Sequence, residues 1–109
     1  MSEQTIPMFP LNLVLFPGQI LPLHIFEDRY RLMVKEIIDK DREFGVVLIE
    51  RGSEVGGGDT RKNIGTLAQI IDYEKSNDGR WFLLTQGTKR IEVTRWIEDL
   101  PYPRAEVSL

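Results

Sequence analysis

The sequence predicts a mostly β fold with one helix (α+β) and about six or seven strands. Three observations predict it. Prolines interrupt the apolar segments of the first third, and a single segment has apolar residues at a 3.6-residue period. In the last half, segments that alternate between apolar and polar residues are separated by turn signals. A chain of 109 residues has the length of one domain, which we assign to residues 1–109. Hydrophobic residues at 41% and charged residues at 28% are typical of a folded globular protein.

The amino-terminal third is a ribbon of short apolar segments. We predict strands at Thr5–Phe9 and Ile20–Phe26, with a further apolar run at Leu11–Phe16. Pro17 and Gly18 predict a turn, since proline presets φ and glycine accepts a positive φ at the next position. The strand Ile20–Phe26 has apolar residues on both faces, so we expect both of its faces to be buried.

A single helix follows this ribbon. Its apolar residues recur at the spacing i, i+3, i+4, i+7 and i+8, which places them on one face: Tyr30, Met33, Val34, Ile37 and Ile38. Glu27 and Asp28 stand where an amino-terminal cap and a favourable interaction with the helix dipole are expected.

The remainder of the chain is predicted to be β structure. Phe44–Glu50 is rich in β-branched residues and predicts a buried strand, and Arg51–Asn63 predicts a long polar loop. An antiparallel meander then follows, with a tight turn at residues 76–79 and a break at Gly87-Thr88. Its predicted strands are Gly65–Lys75, Trp81–Gln86, Arg90–Trp96 and Arg104–Leu109.

Composition and spacing argue against enzymatic chemistry. The chain has no cysteine and one histidine, so we expect no metal site and no thiol nucleophile. A loop that begins like a phosphate-binding loop, Gly52 to Gly57, continues with Gly58-Asp59 where a lysine is required, so we expect no nucleotide or other cofactor. Asp72 and Glu74 lie beside a hairpin tip, which is typical of solvated charges. We therefore predict no catalytic residue.

Charge and termini narrow the environment. The net charge of −3 gives no general attraction to nucleic acid or to an anionic membrane. The first four residues contain an acid, and no long apolar run follows them. We therefore expect neither a secretory signal nor a membrane span, and predict a cytoplasmic protein.

Two local features keep alternatives open. The segment Arg80–Arg95 mixes cations with Trp81 and Phe82, which are the materials of a single-stranded RNA reader, but its cations are split between two strand faces. His24 lies between apolar neighbours, which predicts a histidine hydrogen-bonded in or near the core, with ligand contact as the alternative.

Residues 10–30, P-L-N-L-V-L-F-P-G-Q-I-L-P-L-H-I-F-E-D-R-Y, carry a family resemblance. They resemble the opening of the Lon amino-terminal domain, the substrate-binding part of Lon proteases, and the likeness continues to residues 101–107. The resemblance implies a PUA-like, partly closed β-barrel. It is nearest to the free-standing type without ATPase or protease domains, and it implies that these residues are the β-rich part of a longer protein.

The resemblance also implies a function and a site. It implies a non-enzymatic module that recognises unfolded or degron-bearing polypeptides and is associated with proteolysis. A groove between the Phe16-Pro17-Gly18 turn, the Arg51–Asn63 loop and the strand-to-helix junction would hold the polypeptide. Its candidate residues are Phe16, Pro17, Gly18, His24, Phe26, Arg29, Gly56, Gly57 and Gly58. A purely structural role stays open for each of them, as do an RNA-binding module and an adaptor or homo-oligomerisation unit.

Overall fold

The computed structural model describes residues 3–51 and 60–109. Within these residues the chain forms six strands and one helix. In chain order they are β1 (Glu3–Leu11), β2 (Ile20–Ile25), α1 (Asp28–Ile37), β3 (Glu43–Arg51), β4 (Thr60–Lys75), β5 (Trp81–Ile97) and β6 (Arg104–Ser108). The predicted mostly β class with one helix is confirmed.

All six strands belong to one sheet, in the order β2-β5-β4-β3-β1-β6. The β1–β3 pair is parallel, and the other pairs are antiparallel. The sheet also curls on itself, because the last part of β5 pairs with β6 as well. The sheet is thus partly closed, because each of β5, β4, β3, β1 and β6 pairs with the next and β6 pairs again with β5. Strand β2 lies outside this circuit and, among the described residues, pairs with β5 alone.

The apolar core of the described residues consists of two clusters on opposite sides of the same strands. Helix α1 covers the larger cluster, where Met33 and Val34 meet Phe44. The smaller cluster fills the inside of the strand circuit around Met8 and Ile91. Strands β1, β3 and β4 contribute to both clusters, so apolar residues on both of their faces are buried. The prediction that Phe44–Glu50 is a buried strand agrees with this placement of β3.

The helix buries the face that its sequence predicts, with one difference at its start. All five predicted apolar residues, Tyr30, Met33, Val34, Ile37 and Ile38, are buried. Glu27 occupies the N-cap position but makes no capping hydrogen bond with its side chain. Its carboxylate instead accepts a hydrogen bond from Arg29 Nε at 3.2 Å. At the other end Arg42 adopts a positive φ of 60°, and its N–H donates to the Ile37 carbonyl oxygen at 3.2 Å.

Three predicted features are corrected by the structure. The Gly87-Thr88 break is a register shift inside one continuous strand, because Leu67 pairs with Lys89 while Ala68 pairs with Gly87. The polar loop is shorter than predicted, since Arg51 ends β3 and Thr60–Asn63 begin β4; its residues 52–59 lie outside the described residues. The β2 strand packs on the core through one face only, because within the described residues no second layer covers its outer side.

Tyr102 fixes the entry to β6 against the helix. Its phenol O–H donates to Glu36 Oε1 at 2.5 Å. Burial and this hydrogen bond raise the pKa of Tyr102 to about 12. The neutral phenol is therefore the form that the folded protein favours.

Replacing Ile37 with alanine should lower the free energy of unfolding by about 2–5 kcal/mol, since Ile37 is 6% exposed in the larger cluster. Urea unfolding measures the change. Lys35→Ala on the exposed side of the same helix is the control and should change stability by less than about 0.5 kcal/mol. Equal midpoints for Ile37→Ala and Lys35→Ala would contradict the burial of Ile37 in the larger cluster.

Tyr102→Phe should cost stability at neutral pH and progressively less at high pH. The folded pKa of about 12 lies above the value of about 10 for an unfolded tyrosine. The contribution of the phenol is thus fully present below pH ~10 and is lost as the pH rises towards ~12. The free energies of unfolding of the unchanged protein and of Tyr102→Phe at pH ~9 and ~11 measure this contribution. If the difference between the two proteins does not shrink at pH ~11, the raised pKa of Tyr102 is contradicted.

Candidate functional site

Strand β2 is the open edge of the sheet. It pairs with β5 on one side, and within residues 3–51 and 60–109 no strand pairs with its other side. The Gly87 N–H donates to the Gln19 carbonyl oxygen at 2.9 Å, which sets the alternation of the ladder. The backbone groups of Leu21 and Leu23 therefore point to β5, and those of Ile20, Pro22 and His24 point to the open edge. Pro22 has no N–H, and at the open edge this removes no hydrogen bond between β2 and β5.

The side chains of β2 divide between the core and solvent. Leu21, Leu23 and Ile25 turn inward, whereas Ile20 and His24 are exposed. The prediction of a core histidine is wrong: His24 stands on the outer face and stacks on Phe82 with ring centroids 4.6 Å apart and planes at 1°. Phe26 is 50% exposed, and its ring centroid lies 5.6 Å from that of the same imidazole.

The outer face continues across β5 and β4 as a grid of three strands. Register places the outward residues of the strands in three cross-strand rows. We call these nine residues the platform: His24, Phe82 and Glu74 in one row, Pro22, Leu84 and Asp72 in the next, and Ile20, Gln86 and Gln69 in the third. The β2 and β5 columns are mainly apolar, and the β4 column is polar or acidic.

A pocket of about 180 Å³ opens beside β2 and extends the apolar surface inward. It lies between β1, β2 and the start of α1, and its inner wall is mainly aromatic and aliphatic. Its lining residues are Phe9, Leu11, Pro22, Leu23, His24, Ile25, Phe26, Glu27 and Tyr30. Pro22 and His24 belong to both the pocket and the platform, so the two form one continuous surface.

The strand-to-helix junction is held by Arg29. Its guanidinium pairs with Glu27 at 3.2 Å and reaches Asp99 of the β5–β6 connection at 3.8 Å. It also lies 4.6 Å from the centroid of the Tyr30 ring. These contacts agree with the structural interpretation of Arg29, because they fix the wall of the pocket and engage its charge within the protein.

The predicted turn lies at the opposite end of β2 from the pocket. Gly18 has a φ of 87°, and its N–H donates to the Gly87 carbonyl oxygen at 2.7 Å. Phe16 is 55% exposed, yet neither it nor Pro17 lines the pocket. The structure therefore brings His24 and Phe26 together but places the turn elsewhere. The candidates Gly56, Gly57 and Gly58 lie outside the described residues.

The central contributors to the platform, Phe82 and Leu84, are not among the site residues predicted from the sequence. Their signal was present: Trp81, Leu83 and Thr85 are buried, and Phe82 and Leu84 alternate with them on the exposed side. Phe9 and Leu11 of the pocket were missed because only the fold brings β1 beside β2.

The basic segment Arg80–Arg95 forms no continuous cationic surface. Arg80 Nε pairs with Asp78 at 2.8 Å, and Arg95 forms two hydrogen bonds to the carboxylate of Glu106 at 3.1 and 2.9 Å. Hydrogen bonds from Ser76 and Arg80 hold the pKa of Asp78 well below its usual range, which keeps this carboxylate charged beside Arg80. Trp81 is buried and unavailable for stacking on a base.

The described part of the chain contains neither a metal-binding cluster nor a helix that could span a membrane. It contains no group of three or more histidine, cysteine, aspartate or glutamate side chains that could hold a metal ion. Its helix is too short and too polar to cross a lipid bilayer.

Comparison with known proteins gives a family. Residues 5–109 match the model of the ATP-dependent protease La (LON) substrate-binding domain. The chain is 32% identical over 106 residues to Lon protease 2 of Myxococcus xanthus and 35% identical over 106 residues to the Lon protease of Desulfosudis oleivorans. These matches cover 95% and 94% of this chain but 13% of each relative.

Solved structures give the same result for the fold. A Lon N-terminal domain protein from Xanthomonas campestris superposes with a TM-score of 0.80 at 35% identity, covering 96% of this chain and 59% of that one. The N-terminal domain of a Mycobacterium avium complex Lon protease superposes with a TM-score of 0.68 over 96% of this chain and 54% of that one; at 15% identity this match concerns the fold alone.

Proposed function

This chain belongs to the family of Lon substrate-binding domains, and from that membership we propose that it is a non-enzymatic module that binds polypeptides on the platform and its pocket. Unfolded or degron-bearing chains are the proposed partners, and the cytoplasm is the proposed compartment. The chain spans 13% of the length of the Lon proteases that it matches, and the proposal for this module includes no proteolytic step.

One observation carries the proposal: solvent-exposed aromatic and aliphatic side chains adjoin an open pocket at an unpaired strand edge. Phe26 is 50% exposed, Phe82 42% and Ile20 45%. An unfolded chain offers both the apolar side chains and the free backbone groups that such a surface accepts.

Micromolar binding of a polypeptide requires free energy from both apolar side-chain contacts and backbone hydrogen bonds. Covering a half-exposed aromatic or aliphatic residue contributes about 1 kcal/mol. Four or five of them fall short of the roughly 8 kcal/mol of micromolar binding once the cost of association is included. The carbonyl groups of Ile20, Pro22 and His24 and the N–H groups of Ile20 and His24 face the open edge. A bound segment that pairs with them supplies the remaining free energy.

Phe82→Gln and Phe26→Gln should each weaken binding of an unfolded protein at least about fivefold, or ~1 kcal/mol. Fluorescence anisotropy with labelled lysozyme that has been reduced and carboxamidomethylated measures this at low and at high salt. Binding to the unchanged protein should survive high salt. Ile64→Gln is the matched control, since Ile64 is 47% exposed on β4 away from the platform, and it should bind as the unchanged protein does.

Other outcomes decide between the alternatives. Equal binding by all three variants would contradict a role for the platform. Binding of single-stranded RNA alone, lost on adding salt, would favour an RNA module instead. A concentration-dependent mass in sedimentation that Phe82→Gln abolishes would show that a second copy covers the platform and would favour oligomerisation.

A further inference from the structure

We propose that the segments bound by the platform carry a lysine or arginine beside their apolar residues. This inference rests on the proposed function and adds the chemical class of the segment. Its basis is that the platform is chemically one-sided: its apolar columns on β2 and β5 are bordered along β4 by two carboxylates, Asp72 and Glu74.

The register sets how far these carboxylates lie from the apolar groups. Asp72 pairs with Leu84, and Glu74 pairs with Phe82. Neighbouring strands are about 4.8 Å apart, so each carboxylate stands one strand from the apolar β5 column and about 10 Å from the β2 column. A lysine or arginine side chain of a segment packed on Phe82 and Leu84 spans that distance.

Within residues 3–51 and 60–109 the two carboxylates are not neutralised by an ion pair. No salt bridge between described residues includes Asp72 or Glu74. Asp72 Oδ1 accepts a hydrogen bond from the Tyr73 N–H at 2.8 Å, which leaves its charge in place. The neighbouring Lys75 ammonium lies over the Trp81 ring, 5.3 Å from its centroid, and Arg80 is paired with Asp78.

This arrangement favours one occupant. A cation near Glu74 gains from the carboxylate and also from the face of the Phe82 ring, whereas an acidic segment or a nucleic-acid phosphate is repelled. A second copy of the chain would bring a net charge of −3 and the same two carboxylates to this surface. An apolar segment with basic residues therefore fits the platform best.

Three labelled synthetic peptides of identical length test the inference. They share phenylalanine and leucine residues spaced by serine, and carry lysine, glutamine or glutamate at the same two positions. Fluorescence anisotropy at low salt should rank them with lysine tightest, about fivefold ahead of glutamine, and glutamate weakest. High salt should narrow the ranking without abolishing binding of the glutamine peptide.

Two double variants locate the effect. Asp72→Asn with Glu74→Gln should reduce the preference for lysine over glutamine to less than about twofold. Asp39→Asn with Glu98→Gln removes the same two charges from exposed positions outside the platform. This control has the same net charge as the Asp72→Asn, Glu74→Gln variant. It should keep the full preference for lysine over glutamine, because the platform carboxylates are intact.

The outcomes separate this inference from the proposed function. Equal binding of the three peptides, with all of them weakened by Phe82→Gln, would overturn the charge preference and leave the proposed function standing. A preference that persists in the Asp72→Asn, Glu74→Gln variant, or that disappears equally in the control variant, would also overturn it. Failure of every peptide and of the unfolded protein to bind would overturn the proposed function itself.

Discussion

Strand β5 is the constraint on which the architecture depends. Over its 17 residues it pairs with β2 from Trp81 to Gln86, with β4 from Trp81 to Glu92 and with β6 from Glu92 to Ile97. The pairing with β2 ends just before the bulge at Thr88, whose hydroxyl donates to the Leu67 carbonyl oxygen at 3.1 Å. Gly87 precedes this bulge, and a Cβ there would lie 2.5 Å from the Phe16 carbonyl oxygen. A side chain at this position would push the turn away from β5 and loosen the attachment of β2.

The binding surface follows from where β2 stands relative to the strand circuit. Strands β1, β3 and β4 lie between two apolar clusters, so both of their faces are used by the core. Strand β2 joins the sheet only through β5, and nothing in the described chain covers its outer side. The same topology that completes the core therefore leaves one apolar face and one backbone edge in solvent.

Local sequence signals were sufficient for the helix and the tight turns. The 3.6-residue period of Tyr30 to Ile38 identified the buried face, and Asp78-Gly79 and Pro17-Gly18 identified the turns, where Gly79 and Gly18 have positive φ. These features depend on neighbours in the chain, so a single sequence contains what determines them.

The platform depends on contacts that the sequence does not express. Apolar residues on both faces of β2 predicted burial, because periodicity cannot tell whether a second layer covers a strand. A glycine followed by a threonine marks a bulge as well as it marks a turn, so β5 was divided in two. The stacking of His24 on Phe82 requires the β2–β5 register, which joins residues 58 positions apart. Family resemblance indicated the fold but did not identify this face.

Pro22 has a consequence for how β2 meets other chains. Exposed edges are the places where sheets grow into fibrils, and proteins protect them with residues that interrupt pairing. The outer edge of β2 has three carbonyl acceptors at Ile20, Pro22 and His24 but an N–H donor at only two of them. A short extended segment tolerates the missing donor, whereas a long ladder of repeated copies would leave a backbone carbonyl unsatisfied at every layer. Pro22 therefore allows this edge to bind a short segment transiently, and it disfavours aggregation of the protein itself.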